Sequence, residues 1–139
     1  TWRRANIHRF VAELRDSVQG QKPWLPLGIS PFGIWRPGSP PGIRGLDPYE
    51  TIGVDALAWM RDGLVDYLSP QLYWPIGRTG QDFARLATWW DTMATQHGRP
   101  MWPGLYTSAV PRSGWPASEI GRQVTTTRAL RSPGQVHYR

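Results

Sequence analysis

The sequence predicts an α/β fold with parallel strands, and more specifically a partial (β/α)₈ barrel of about four βα units. Two observations carry this expectation. Helical and strand-length apolar segments follow one another in the order α-β-α-β-α-β-α-β, and such alternation argues for parallel strands joined by right-handed helical crossovers. The chain has 139 residues, whereas a complete barrel takes about 250. An open doubly wound sheet would give the same alternation, but no glycine-rich phosphate loop follows any of the strands. Residues 1–139 are therefore read as one partial domain.

The elements are justified in order. Over residues 2–21, Ile7, Phe10, Val11, Leu14 and Val18 recur at helical spacing, with Arg3, Arg9, Glu13 and Asp16 on other faces. Gly20 and Pro23 end that helix, and residues 24–30 form a short apolar segment of strand length. A proline- and glycine-rich loop over residues 31–49 is longer than the connections usual inside an α/β unit, and such loops tend to carry function. A second helix is expected over residues 50–62, closed by Gly63, and a second strand over residues 65–69 that continues through 70–75. Thr79 with Asp82 resembles a capping box, opening a helix with Phe83, Leu86, Ala87, Trp90 and Met93 on one face. Residues 101–106 make a third strand, weakened by Pro103 and Gly104. Pro116 is placed as the first helical residue ahead of residues 117–130. A turn at Ser132-Pro133-Gly134 leads into the fourth strand, residues 135–138.

Composition narrows the function classes. The net charge of +6 is almost wholly arginine, Lys22 being the only lysine. The helical arginines fall singly or in one pair, without the dense basic block that tracks phosphates, so nucleic acid is not an expected partner. There is no cysteine, which removes disulfides, thiolate metal sites and a cysteine nucleophile and leaves the redox compartment open. No clustered ligands suggest a metal or cofactor, and no Gly-x-Ser-x-Gly elbow suggests a serine hydrolase.

In a barrel, ligand-facing groups lie at the C-terminal ends of the strands and in the loops just after them. Those positions here hold Ser30, Phe32, Trp35 and Arg36, then Gln71, Tyr73 and Trp74, then Tyr106, Thr107 and Ser108, and finally His137 and Tyr138. Flat aromatic rings fringed by amide, hydroxyl and guanidinium groups suit sugar rings, which present apolar faces edged with hydroxyls. Aromatics at strand ends also commonly do no more than close a barrel mouth, and only the convergence of several favours a binding role. Arg36 is read as a ligand clamp, with stacking on a ring as the other role open to it. His137, without a partner carboxylate, is read as structural and left out of catalysis.

Glycosidic hydrolysis usually takes two carboxyl groups, and this chain has difficulty supplying them. Glu13, Asp16, Asp55, Asp62, Asp82, Asp91 and Glu119 fall on helices, and Asp66 at the start of its strand. Asp47 and Glu50, at the end of the long loop, read as turn and helix-start residues.

Four segments are recognisable together: residues 2–7 (Trp-Arg-Arg-Ala-Asn-Ile), 28–36 (Gly-Ile-Ser-Pro-Phe-Gly-Ile-Trp-Arg), 66–74 (Asp-Tyr-Leu-Ser-Pro-Gln-Leu-Tyr-Trp) and 102–106 (Trp-Pro-Gly-Leu-Tyr). The chain resembles the bacterial glycosyl-hydrolase-like (β/α)₈-barrel family over essentially its whole length. The resemblance implies that the four strands are the fifth to eighth of the barrel. It makes Trp35, Arg36, Gln71, Tyr73, Trp74 and Tyr106 substrate-cleft residues. It also implies a secreted or lipid-anchored envelope protein whose relatives cleave polysaccharide, including peptidoglycan glycan strands. In the family an Asp-Asp-Tyr strand, the expected home of a catalytic carboxylate, precedes the Trp-Arg-Arg helix; nothing here matches it.

The expected function is thus the C-terminal half of a glycoside hydrolase, with a non-catalytic carbohydrate-binding barrel as the alternative. The expected partners are a glycan substrate and the N-terminal half of the barrel. Because half a barrel exposes strand edges and apolar helix flanks, self-association or marginal folding is also expected.

Overall fold

The computed structural model describes residues 1–130 and 132–139. Its elements run α1 (Trp2–Gln21), β1 (Gly28–Ile29), α2 (Pro48–Thr51), α3 (Ala56–Arg61), β2 (Tyr67–Leu68), α4 (Phe83–Gln96), β3 (Gly104–Tyr106), α5 (Ala109–Ser113), α6 (Ser118–Ala129) and β4 (Val136–Tyr138). Helix and strand alternate as expected, and the strands pair in parallel. Gly28 lies opposite Tyr67 and Ile29 opposite Leu68, while Gly104, Leu105 and Tyr106 face Val136, His137 and Tyr138. Parallel bridges Leu68↔Met101 and Gln71↔Gly104 tie the two pairs together. There Trp102 N donates to Leu68 O at 2.9 Å and Gly104 N to Pro70 O at 2.8 Å. Neighbouring strands are therefore consecutive in the chain.

The strands are shorter than the sequence predicts: β1 holds two residues of the expected seven. Pro26, Pro31, Pro70, Pro100 and Pro103 flank or interrupt the paired residues, and each removes a donor from the ladder.

Alternation sets the two faces of the strand layer. Leu68 and Leu105 are fully buried toward the helices, where they join Trp59, Met60, Phe83, Leu86 and Trp90 in one core. Burying a side chain of this size contributes about 1.5–3 kcal/mol. The polar tip of Trp90 is satisfied in that interior, its indole N–H donating to Gly33 O at 2.7 Å.

Three local expectations are corrected. The helix expected over residues 50–62 is two helices, because α2 stops at Thr51 and Asp55 caps a fresh start at α3. Between them Gly53 takes φ 76° while α1 crosses so closely that a Cβ there would lie 3.2 Å from the Arg4 backbone. Thr79 does not cap α4; Asp82 does, its carboxylate accepting from Arg85 N at 2.8 Å. Residue 116 is not helical, since α6 begins at Ser118. The turn between Tyr106 and Pro116 also contains the short α5, which ends on Gly114 in the left-handed region at φ 67°.

α1 has the expected length, but only Val11 is buried. Phe10 is 64 % exposed. The helix docks mainly through its first turn, where Arg4 donates to Tyr49 O at 3.0 Å and to Glu50 at 3.3 Å.

Candidate functional site

The face of the strand layer opposite the core is lined with aromatic and small polar side chains around a cleft of about 340 Å³. Parallel strands reached through helices give its parts a common polarity: Ser30, Ser69, Tyr73 and Tyr138 all lie at or beyond the C-terminal ends of β1, β2 and β4. Two aromatic groups are built around it: Tyr67, Trp102, Tyr73 and Tyr138 line it, and Tyr106 packs against the last two without lining it. Tyr67 and Trp102 pack with centroids 4.2 Å apart and their planes tilted by 35°. Tyr73, Tyr106 and Tyr138 form a triad in which Tyr73 and Tyr138 lie 5.1 Å apart at 19°, with Tyr106 at 5.6 Å from Tyr73 and 5.9 Å from Tyr138.

Local sequence explains how these rings fit. A Cβ on Gly28 would sit 2.0 Å from the Tyr67 ring, so only glycine lets that ring lie across β1. A Cβ on Gly104 would approach Pro70 O at 3.2 Å and the Tyr73 ring at 3.4 Å, so glycine also lets β3 pass beneath the triad. Tyr138 is fixed through its carbonyl, which accepts from Thr107 Oγ1 at 2.8 Å and Thr107 N at 3.1 Å. Ser30 Oγ donates to Ser69 O at 2.7 Å, and Gln71 Nε2 donates to Ser30 O at 3.1 Å, closing the opposite side. Burial, and secondarily the neighbouring Tyr138, push the Tyr73 phenol above its ordinary pKa. It therefore stays a neutral hydroxyl that both donates and accepts.

The sequence-derived candidates divide. Tyr73 lines the cleft, Tyr106 packs against it, and Gln71 donates to the carbonyl of Ser30, which lines it, so Tyr106 and Gln71 stand one contact back. Trp35 instead packs against Trp89 and Tyr49, with its indole N–H donating to Asp55 at 3.3 Å. Trp74 packs against the core, and its carbonyl accepts from Gln123 Nε2 at 3.1 Å. Arg36 lies over the Tyr49 ring at 4.4 Å and pairs with Asp47 at 3.4 Å and Glu50 at 3.6 Å. That places Trp35, Arg36 and Trp74 among the helices and the long loop rather than on the cleft lining. Tyr67 and Trp102 escaped sequence reasoning as site residues. The period-two pattern Tyr67-Leu68-Ser69, with Leu68 in the core, was the signal that puts Tyr67 on the open face.

No carboxyl group lines the cleft among the described residues. Asp47 caps α2 by accepting from Glu50 N at 3.0 Å, Glu50 pairs with Arg4 at 3.3 Å, and Asp66 accepts from Leu27 N at 2.8 Å. Among the described residues no group of three or more His, Cys, Asp or Glu side chains could hold a metal ion. A shallower groove of about 470 Å³, lined by Pro40, Arg85, Thr88 and Trp89, runs along the outside of α4, away from the strand ends.

Parallel strands joined through helices, with an aromatic, hydroxyl-fringed cleft on their open face, define an α/β protein. The chain belongs to the glycosyl hydrolase-like 10 family, which matches residues 1–117. It is 30 % identical over 147 aligned positions to the glycosyl hydrolase YngK of Bacillus subtilis (strain 168), covering 99 % of this chain and 29 % of that protein. It is 38 % identical over 93 positions to the glycosyl hydrolase DigH of Escherichia coli (strain K12), covering 64 % of this chain and 21 % of that protein. The chain therefore spans less than a third of the length of these curated relatives.

Proposed function

We propose that this chain forms strands five to eight of a (β/α)₈ barrel in a longer glycoside hydrolase, and that its cleft holds the glycan while carboxylates elsewhere in that protein cut it. The observation that carries this reading is the Tyr73-Tyr106-Tyr138 triad at and beyond the C-terminal strand ends, in a cleft that runs back to the Tyr67-Trp102 pair at the strand starts. Membership of a glycosyl-hydrolase-like family and the names of the relatives support hydrolysis as the chemistry. Cleavage takes an acid to protonate the leaving oxygen and a second carboxyl as nucleophile or base, roughly 5 to 9.5 Å apart. The acids of the long loop are engaged in a cap and in ion pairs with arginine, so the reading assigns both catalytic roles to segments outside these residues. The substrate we propose is polysaccharide, extending to peptidoglycan glycan strands, with action in the cell envelope.

A second reading, a carbohydrate-binding barrel without catalysis, is favoured by the same lack of carboxyl groups in the cleft. Digestion of peptide-free glycan strands, with products read by mass spectrometry, separates the two. The comparison is between this chain and a version extended upstream by the segments that the longer relatives carry. Shorter glycans released by the extended version alone support the divided site. Release by this chain would mean that Asp47, Glu50 or His137 acts, and binding without cleavage by either would favour the second reading.

A further inference from the structure

We infer that Ser69 is a specificity-determining residue of this cleft, where its hydroxyl and that of Ser30, backed by the Tyr67-Trp102 pair, receive the acetamido group of an N-acetylated sugar. This rests on the glycan-binding reading above and adds to it the substituent that the sugar ring carries.

The inference comes from a nearly buried hydroxyl without a partner. Ser69 is 7 % exposed and lines the cleft. Its backbone is engaged on both sides, the N–H donating to Ile29 O at 2.9 Å and the carbonyl accepting from Ser30 Oγ at 2.7 Å, but among the described residues its own Oγ has no hydrogen bond. The sealed side-chain atoms without a partner are Arg4 Nε and Gln123 Oε1 among the described residues, so the Ser69 hydroxyl opens into the cleft rather than into the interior. Alternation agrees, because Leu68 turns to the core and Tyr67 and Ser69 to the open face. Strand pairing sets what surrounds that hydroxyl. The pairs Gly28↔Tyr67 and Phe32↔Gln71 put Ser30 opposite Ser69, and the bridges Leu68↔Met101 and Gln71↔Gly104 put Trp102 on its other side. Ser30, Ser69 and Trp102 thus form one row, with the Tyr67 ring packed on Trp102 at 4.2 Å. The Ser30 proton is committed to Ser69 O, which leaves Ser30 Oγ as an acceptor, while Ser69 Oγ is free to donate. An acetamido group brings the matching set: its carbonyl takes a proton, its N–H gives one, and its methyl group leaves water against the aromatic pair. A bare hydroxyl bonds to the serines but leaves those rings unused. The row is uncharged, His137 of the same lining being on β4, so hydrogen bonds and the methyl group decide what it accepts. A ligand that covers Ser69 without accepting from it strands that donor, which sharpens the choice.

The test compares an oligomer of four N-acetylglucosamine units with one of four glucose units in the same linkage, which differ in the acetamido group alone. Binding is followed by tryptophan fluorescence and calorimetry on the upstream-extended protein and on its Ser69→Ala variant, whose folding is checked by circular dichroism and urea unfolding. Should alanine unfold the chain, Ser69→Cys takes its place, since it keeps the volume and gives up the strong donor. The expected result is that the acetamido oligomer binds about tenfold more tightly than the glucose oligomer, and that the Ser69 variant removes most of that factor by weakening the acetamido oligomer alone. Equal or tighter binding of the glucose oligomer, or a preference that the variant keeps, overturns the inference and leaves the glycan-binding reading standing. Binding of neither oligomer also overturns it, and the glycan-binding reading falls with it if the extended protein cleaves no glycan strands either.

Discussion

The Tyr73 phenol sits 5.1 Å from the ring of Tyr138, and its raised pKa has a sign that can be followed into stability. Burial penalises the tyrosinate, and the Tyr138 beside it adds to the penalty. The folded state therefore keeps the Tyr73 proton to a higher pH than the unfolded chain, whose tyrosines titrate near about 10. Below that value the contribution to stability is fully present; above it the native state holds more protons than the unfolded state, and stability falls until the folded pKa is passed. Melting temperatures measured from neutral pH upward should fall more steeply beyond about pH 10 for the wild type than for Tyr73→Phe, which has no proton to lose. Identical slopes would mean that Tyr73 titrates as it does in water. The residue itself was legible as a site candidate from its place after a strand. Its environment was not, because Tyr138 comes from a strand 65 positions later and only tertiary pairing joins them.

Among the elements, α6 is held to the loop after β2 by a buried polar pair. Glu119 is 2 % exposed and accepts from Ile76 N at 2.7 Å and Gln123 Nε2 at 3.0 Å, with Arg122 at 3.3 Å. Gln123 Nε2 also donates to Trp74 O at 3.1 Å, so two side chains one helical turn apart satisfy the backbone on both sides of Pro75. Glu119→Ala would strand the Ile76 N–H and part of the Gln123 amide in the interior. The expected loss in urea unfolding is about 2–4 kcal/mol. Glu119→Gln, which keeps an acceptor, should lose roughly half as much, and a loss below about 0.5 kcal/mol for the alanine variant would show that water replaces the carboxylate. Helix positions read well from periodicity in α4, where Phe83, Leu86, Ala87 and Trp90 of the expected face are buried, while Met93 is only partly buried and Ala94 is buried beside it. They read poorly where polar residues do the burying: Glu119, Gln123 and Thr127 share one face at helical spacing, and a hydrophobic pattern treats that face as solvated. The break at Gly53 was illegible for another reason, since it answers to the approach of α1 rather than to a local signal.

For the whole molecule, several large apolar side chains stand exposed. Trp2 is 81 % exposed, Trp24 77 % and Phe10 64 %, with Leu25 also exposed just before β1. Among the described residues β1 pairs only with β2 and β4 only with β3, so both leave backbone groups open along one edge. Exposed apolar side chains on α1, Trp24 after it and the open edge of β1 follow one another along the chain, a combination that favours association. We predict that this chain scatters light in a concentration-dependent manner and that the upstream-extended version does so less, as the proposed barrel requires of a segment that would cover the same flank and edge. Phe10→Lys with Trp24→Lys should lower the association of the 139-residue chain without altering its circular dichroism, since neither side chain is in the core. A monodisperse monomer that unfolds cooperatively in calorimetry would contradict this. It would mean that the α/β layers described here stand alone as a smaller fold, with the strand edges protected by the prolines that shorten them.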